Sequence, residues 1–369
     1  MKTVRRMVYR DLLTSIGFVT VAFLALFSFI DLVSELRWVD ASNPDGYQIR
    51  HALFYVATLS VSTLYELLPI TVLIGSVFVM SRMAQSSEYT VLRTSGLDPR
   101  RALRMMLGVG VVFTIATFVI GDFLAPAADR TGQLVRSRYT GMITVGQTGA
   151  WLREKGADAS YAVNVGAMQS DGSMHNVRIF AFGTDGRLRS TTEAKAAHVA
   201  TGGRWELQDV QHTTFPRAAD GVQAQARRSS EPQSSWDTTL TAEMVSVALL
   251  RPDRMSTIDL FRYMQHLESN NQSSQRYEIE FWRKLFYPMS CLVMVVLALP
   301  FAYLHFRQGG ISTFVFIGVM TGISFFLLNN LFGHFGNLRN WWPWLTAAAP
   351  GIIYSLLSLS AFGWLVLRR

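Results

Sequence analysis

Six apolar stretches decide what this chain can become. They run Leu12–Val33, Ala52–Met80, Arg101–Leu124, Leu285–Phe306, Ile311–Phe332 and Trp344–Leu367. Each is long enough to cross the hydrocarbon core of a bilayer as a helix, which takes about 20 residues. A chain of 369 residues that is 50% hydrophobic, with a mean hydropathy of +0.22, is too apolar and too segmented for one soluble core. Ala52–Met80 exceeds a perpendicular crossing and contains Glu66 and Pro69, so a tilt or a bend at the proline is expected. No cleavable signal peptide is expected, because the first apolar run is too long for one and no small-residue cleavage site follows.

The formal net charge of +8 could suggest nucleic acid, but the basic residues gather at the ends of apolar runs, the pattern of a membrane protein. No nucleic-acid partner is expected. Lys2, Arg5, Arg6, Arg10, Arg82, Arg93, Arg100, Arg101, Arg104, Arg307, Arg368 and Arg369 fall on one side of the expected topology. Only Arg37, Arg50 and Arg339 fall in the opposite short loops. Positive charge is retained in the cytoplasm, so both termini and the Arg82–Arg104 loop are expected there.

Pro126 to about Pro252 differs in kind, with more Gly, Ser, Thr and Asp. Alternation in Tyr161–Val165, Val177–Phe182 and Trp205–Val210, with turn signals at Asp171-Gly172, Asp185-Gly186 and Gly202-Gly203, predicts strands. The expected fold is an α-helical membrane protein with an inserted extracytoplasmic all-β domain, arranged as three spans, the β domain and three spans. The divisions are 1–125, 126–255 and 256–369. In the last, Ser256–Asn270 reads as an amphipathic helix with Leu260, Phe261, Met264 and Leu267 in one stripe. Ser256 with Asp259 supplies a variant capping box.

Chemistry of the catalytic kind is missing from the pattern. No Gly-Lys pair occurs, so a phosphate-binding loop cannot be built, and GxSxG, HExxH and DxDxDG are absent. His175, His198 and His212 lack metal-ligand spacing, and Cys291 is the single cysteine, inside an apolar run. No enzyme activity, metal or bound cofactor is expected of this chain. Glu66, Asp122 and Asn329-Asn330 are the polar residues within the spans; none is assigned a role.

Between the second and third runs lies SSEYTVLRTSG, a short helix expected over about 86–96. Ser86 or Ser87 can cap it, Glu88 suits the positive end of the helix dipole, Gly96 can end it, and Pro99 prevents continuation. Glu88, Val91, Leu92 and Ser95 share one face. A helix this far below about 12–15 residues is unstable alone in water and must dock. It is either a solvated loop whose arginines fix orientation or a coupling helix that presses into a cytoplasmic partner.

The ordered series Leu67-Leu68-Pro69, Gly75-Ser76, Ala84-Gln85-Ser86-Ser87-Glu88 and Ser95-Gly96 resembles the hallmark of the lipopolysaccharide export permeases, the paired F and G subunits of the Lpt ABC transporter. RYEIEFWRKLFYP over Arg276–Pro288 is similar to that family's lead-in to the fourth span. FIDLVSEL near the end of the first span and the ending WLVLRR lie nearer the G subunits.

The resemblance implies a permease subunit that extracts lipopolysaccharide from the inner membrane, with a jelly-roll-like periplasmic β domain. It implies as partners the F subunit, a cytoplasmic ATPase dimer holding the ATP and magnesium, a single-span C subunit and a periplasmic bridge protein. Glu88, Tyr89, Val91, Leu92 and Arg93 would form the ATPase-coupling set. Arg136, in a stretch similar to the family's APxxE…R pattern, would either face the lipid headgroup or anchor the β domain. The lysines expected late in the first span are replaced by Ser28, Ser34 and Glu35, leaving Arg37 as the cation there. The competing class is a non-transporting receptor or scaffold with a periplasmic sensor domain, which would need a cytoplasmic output module. The longest cytoplasmic stretch, Arg82–Arg104, is too short for one.

Overall fold

A computed structural model of the chain describes residues 2–39, 46–96, 98–140, 149–156, 159–168, 172–200, 204–216, 225–242, 244–245, 252–270, 272–303 and 310–367. The Gly202-Gly203 signal, Asp171, Arg307, Arg368 and Arg369 lie outside the described residues. The chain forms two compact units. One is Met1–Arg37, Val56–Asp129 and Gln275–Arg369; the other is Trp38–Tyr55 and Arg130–Ser274.

Six helices are long and apolar enough to cross a membrane: Val4–Trp38, Ile49–Gln85, Pro99–Arg136, Gln275–Tyr303, Ile311–Arg339 and Pro343–Trp364. They are spans 1 to 6, three before the sheet in sequence and three after it. Span 2 is the centre of the bundle: all residues from Leu67 to Val77 are buried, Pro69 among them. Span 1 meets it along a stripe of Val8, Leu12, Ile16 and Thr20, repeating every four residues.

The approach of these two helices is close because one side of it has no side chain. A Cβ on Gly75 would stand 2.7 Å from the Ile16 Cα. Around it, Ser15 donates to the Gly75 carbonyl oxygen at 3.2 Å and Thr20 Oγ1 donates to Thr71 Oγ1 at 2.9 Å. In lipid, where apolar surface gains little by meeting apolar surface, small residues and interhelical hydrogen bonds are what hold helices together. At the polar end of the same pair, Arg82 and Asp11 form an ion pair at 2.6 Å.

Span 3 contains a π-helical turn over Ile120–Leu124, in which the Ala125 N–H bonds the Ile120 carbonyl. Pro126 supplies the reason. Its ring would clash with the carbonyl four residues back in a regular α-helix, and widening the turn relieves that. Span 4 begins at Gln275, well before the expected Leu285. It is continuous through 3-10 segments at Tyr287–Met289 and Leu299–Tyr303, which hold Pro288 and Pro300.

In the second unit six antiparallel strands lie in chain order, each beside its sequence neighbour: β1 Ala150–Lys155, β2 Ala159–Met168, β3 Met174–Gly183, β4 Leu188–Val199, β5 Arg204–Thr214 and β6 Arg227–Asp237. One face buries Leu152, Val163, Val177, Ala197, Trp205 and Leu207 with Leu240 and Val245 from the segment after β6. Trp205 Nε1 donates to the Leu240 carbonyl at 2.8 Å, as a buried indole N–H requires. The Glu154 carboxylate, almost fully buried, accepts from the Thr238 and Thr239 hydroxyls and the Thr239 N–H, which ties β1 to that segment. The edge strand β6 is exposed along most of its length and rich in Ser and charge, with Pro232, a composition that discourages edge-to-edge pairing.

The helix Thr257–Ser269 starts as expected, with Ser256 Oγ accepting from the Asp259 N–H at 3.1 Å. Its buried stripe is shifted by the geometry of docking: Leu260, Tyr263 and Leu267 face inward, while Phe261 stays exposed. Asp259, which the capping argument reads as a local helix-start residue, is buried and paired with Arg130.

Candidate functional site

The short helix forms over Glu88–Thr94. Ser87 enters it in the left-handed conformation, φ 60°, and no side chain caps it. Gly96 leaves it at φ 95°, where a glycine carries no Cβ penalty, and Pro99 opens span 3. Two turns of helix give two sides. Tyr89 is 4% exposed and Leu92 is half-buried; both join the hydrophobic core of the bundle. Glu88, Thr90, Val91 and Ser95 face out, with Val91 at 60% exposure.

The expected face of Glu88, Val91, Leu92 and Ser95 is therefore divided. Leu92 turns inward with Tyr89, three residues before it, because the helix must dock through its apolar side. The Tyr89 ring meets the Tyr303 ring of span 4 edge-on, centroids 5.1 Å apart at 71°, a favoured aromatic geometry. The Arg93 guanidinium lies 6.0 Å from the Tyr303 centroid. Burial pushes the Tyr89 hydroxyl well above its ordinary range, so it docks as a neutral group. The helix is thus held to the bundle by Tyr89 and Leu92 and offers a carboxylate and an aliphatic side chain outward.

Arg136 belongs to the second unit. Its guanidinium carbon is 5.5 Å from the Trp38 centroid and 5.1 Å from that of Tyr55. Beside them, His51 stacks on Tyr139 at 4.0 Å. Aromatic faces take the face of a guanidinium, and the Arg136 Nε is buried beside them. Arg37, in the 3-10 turn that closes span 1, is exposed. Asp129, at the acidic position of the APxxE-like stretch, is buried and accepts from Ser62 Oγ at 2.8 Å.

Sequence reasoning assigned nothing to the charges at the head of span 4. Lys284 is 7% exposed and donates to the Gly121 carbonyl at 2.9 Å. Arg283 pairs with Glu280 at 3.0 Å and donates to the Asn329 carbonyl at 2.6 Å. The Tyr287 hydroxyl donates to the Glu66 carbonyl at 2.6 Å. The available signal was the strong amphipathic spacing of Gln275–Phe286, which hydropathy placed outside the span. Among the described residues no group of three His, Cys, Asp or Glu side chains stands together to hold a metal.

Similarity to known proteins extends over nearly the whole chain. The sequence profile of the lipopolysaccharide export system permease LptF/LptG matches residues 6–368. The chain is 26% identical over 358 residues to the lipopolysaccharide export system permease protein LptG of Escherichia coli strain K12, covering 95% of each chain. It is 23% identical over 375 residues to the LptG of Haemophilus influenzae, covering 100% of this chain and 99% of the relative. With the profile spanning all six membrane-capable helices and the sheet between them, the chain belongs to the LptF/LptG family of lipopolysaccharide export system permeases.

Proposed function

We propose that this chain is a permease subunit of an ATP-driven exporter that removes lipopolysaccharide from the inner membrane, working as a G-type subunit beside an F-type subunit. The observation that carries the mechanism is the two-sided helix Glu88–Thr94: anchored inward by Tyr89 and Leu92, it presents Glu88 and Val91 to a partner. That partner is a cytoplasmic ATPase dimer, which holds the ATP and magnesium; Glu88, Tyr89, Val91, Leu92 and Arg93 make up the coupling element. The distribution of Lys and Arg supports cytoplasmic termini and a periplasmic sheet.

The cargo has several acyl chains and an anionic saccharide head. The apolar spans suit the first, and Arg136, its charge held against Trp38 and Tyr55, suits the second, with Arg37 as a further cation. A single-span C subunit and a periplasmic bridge then receive the lipid. A ligand drives such a change only through its differential affinity for two states, so ATP binding must favour the state that releases the lipid. The test is to co-express the chain with an F-type subunit and the ATPase, purify the complex, and identify bound lipid by mass spectrometry. Lipopolysaccharide retained by the complex, and released on ATP addition in proteoliposomes, is the expected result. A complex that forms without the ATPase and carries only phospholipid would defeat the reading.

A further inference from the structure

Span 4 is gripped at its Tyr303 end and again at Lys284, nine residues in from its start at Gln275. At one end Tyr303 lies under Tyr89 and Arg93 of the helix Glu88–Thr94. Nineteen residues earlier, about 30 Å along a helix rising 1.5 Å per residue, Lys284 holds the Gly121 carbonyl in the π-turn of span 3. Between the two, Cys291, Met294, Val295 and Ala298 are fully buried. A Cβ on Gly110 of span 3 would stand 2.9 Å from the Leu292 side chain. Two 3-10 turns, holding Pro288 and Pro300, interrupt the stretch, and the close packing along it transmits displacement past them.

The far grip falls on a carbonyl with two possible partners. In the π register observed, the Ala125 N–H bonds the Ile120 carbonyl, and Pro126, five residues after Gly121, has no N–H to offer it. The Lys284 ammonium takes that carbonyl instead. In an α register the Ala125 N–H would bond the Gly121 carbonyl itself, at the cost of setting the Pro126 ring against the Asp122 carbonyl. Lys284 therefore supplies the Gly121 carbonyl with a donor that the π register denies it, and withdrawing Lys284 removes that support for the bulge. Losing one residue of bulge turns the helix beyond it by about 100° relative to the helix before it, at 3.6 residues per turn. An ionisable group this deep in a span is costly to maintain, and a switch of register is a reason for its presence.

We propose that span 4 transmits the stroke of the ATPase from the helix Glu88–Thr94 to the π-turn of span 3, with Tyr303 the receiving residue and Lys284 the delivering one. Both are positioning residues. The inference rests on the reading of Glu88–Thr94 as the ATPase-coupling element. The experiment uses the full complex in proteoliposomes and measures lipid released per ATP hydrolysed. Tyr303→Ala and Lys284→Met should each lower that ratio about tenfold, within the range of measured coupling free energies, with ATP hydrolysis continuing. Tyr303→Phe, which keeps the ring, and Lys284→Arg, which keeps the donor, should restore it. A second readout needs no variant of either residue. Cys291 bonds Thr117 of span 3 at 3.3 Å, so its alkylation by N-ethylmaleimide, followed by mass spectrometry, should change in rate when the ATPase is trapped with ATP and vanadate.

An unchanged ratio in Tyr303→Ala and Lys284→Met, with Glu88→Ala lowering it, would reject the lever and leave the coupling helix standing. An unchanged ratio in all three would reject the coupling helix as well. If the variants lose only thermal stability, or fail to assemble while Cys291 alkylation ignores nucleotide, both residues are structural and the proposal is overturned.

Discussion

Spans 1 and 2 are similar in hydropathy and opposite in placement. Span 1 holds the more apolar stretch and buries almost none of it, while the stretch in span 2 is less apolar and mostly buried. The less apolar helix is the one at the centre. In a membrane this is no paradox, because lipid tails are as apolar as leucine side chains and hydropathy does not sort helices by depth in a bundle. What sorts them is closeness of approach. Span 2 carries Gly75 and Thr71 on the crossing with span 1 and Leu67–Val77 without an exposed position. Span 1 keeps a narrow stripe for that crossing and turns Phe18, Val21 and Phe29 outward, at 77%, 66% and 64% exposure. The same division between inward and outward runs through the helix Glu88–Thr94.

The largest effect should come from two glycines that differ only in which span holds them. Gly75→Leu places a side chain against the Ile16 backbone, whereas nothing stands within 4 Å of a Cβ on Gly17. Overpacking costs about 1–3 kcal/mol and more where backbone must move, so Gly75→Leu should lower the melting temperature of the purified chain steeply or prevent its accumulation. Gly17→Leu should leave it unchanged. Equal losses would mean that span 1 is enclosed by something on its outer face.

Glu88→Ala and Tyr89→Ala should separate partner contact from docking. Glu88 is exposed, so its loss should spare the melting temperature of the isolated chain. It should weaken ATPase assembly or coupling by about 2–5 kcal/mol, the usual effect of truncating one member of a desolvated charge pair. Tyr89→Ala removes a buried aromatic and should destabilise the chain itself by about 3–5 kcal/mol. A melting temperature lowered by Glu88→Ala alone would reverse the two sides of the helix.

Arg136 provides a third contrast, between a charge used outward and a charge used to hold the fold. Arg136→Glu should abolish lipid release and Arg136→Lys should be intermediate, since lysine cannot grip phosphate in a bidentate manner. Photocrosslinking from a probe amino acid at position 136 should trap lipopolysaccharide. No crosslink, with a lowered melting temperature of the Arg136→Glu complex, would assign the residue to the aromatic cluster of Trp38 and Tyr55 alone.

The smallest effect is expected in the sheet-bearing unit. Burial lowers the pKa of His266 below its ordinary 6.5, with the nearby Glu154 opposing. The unfolded chain then binds more protons than the folded one below about pH 6.5, so stability is fully present above that value and declines on acidification. His266→Gln should flatten the melting temperature of the complex between pH 7 and pH 5. A slope as steep as that of the parent chain would exonerate His266.

Much of the architecture was legible because it rests on composition over long windows. Six runs of some 20 apolar residues and the alternation in Val177–Phe182 or Trp205–Val210 report period and polarity, which act locally and survive without knowledge of neighbours. The residues of the short helix were legible too, and its glycine end at Gly96. Its two sides were less so: Glu88, Val91 and Leu92 lie near one another on a helical wheel, and only the docking of the helix on the bundle core turns Leu92 inward. Phe261 failed as a buried residue for the same reason, since a stripe predicts that a face is buried without fixing its rotation.

The charges at the head of span 4 separate most clearly what sequence determines from what tertiary structure decides. By itself the sequence determined the number of membrane-capable helices, the inserted β domain, the place of the short helix and the absence of a phosphate-binding loop, all of which depend on residue type and spacing along one chain. It could not determine that Arg283 and Lys284 lie inside the bundle, because hydropathy scores a charge as if it faced solvent. Among their partners are the main-chain carbonyls of Asn329 and Gly121, and carbonyls are carried by every residue and marked by none. Only the fold decides which carbonyl a π-turn exposes and which ammonium, 163 residues later, arrives to take it.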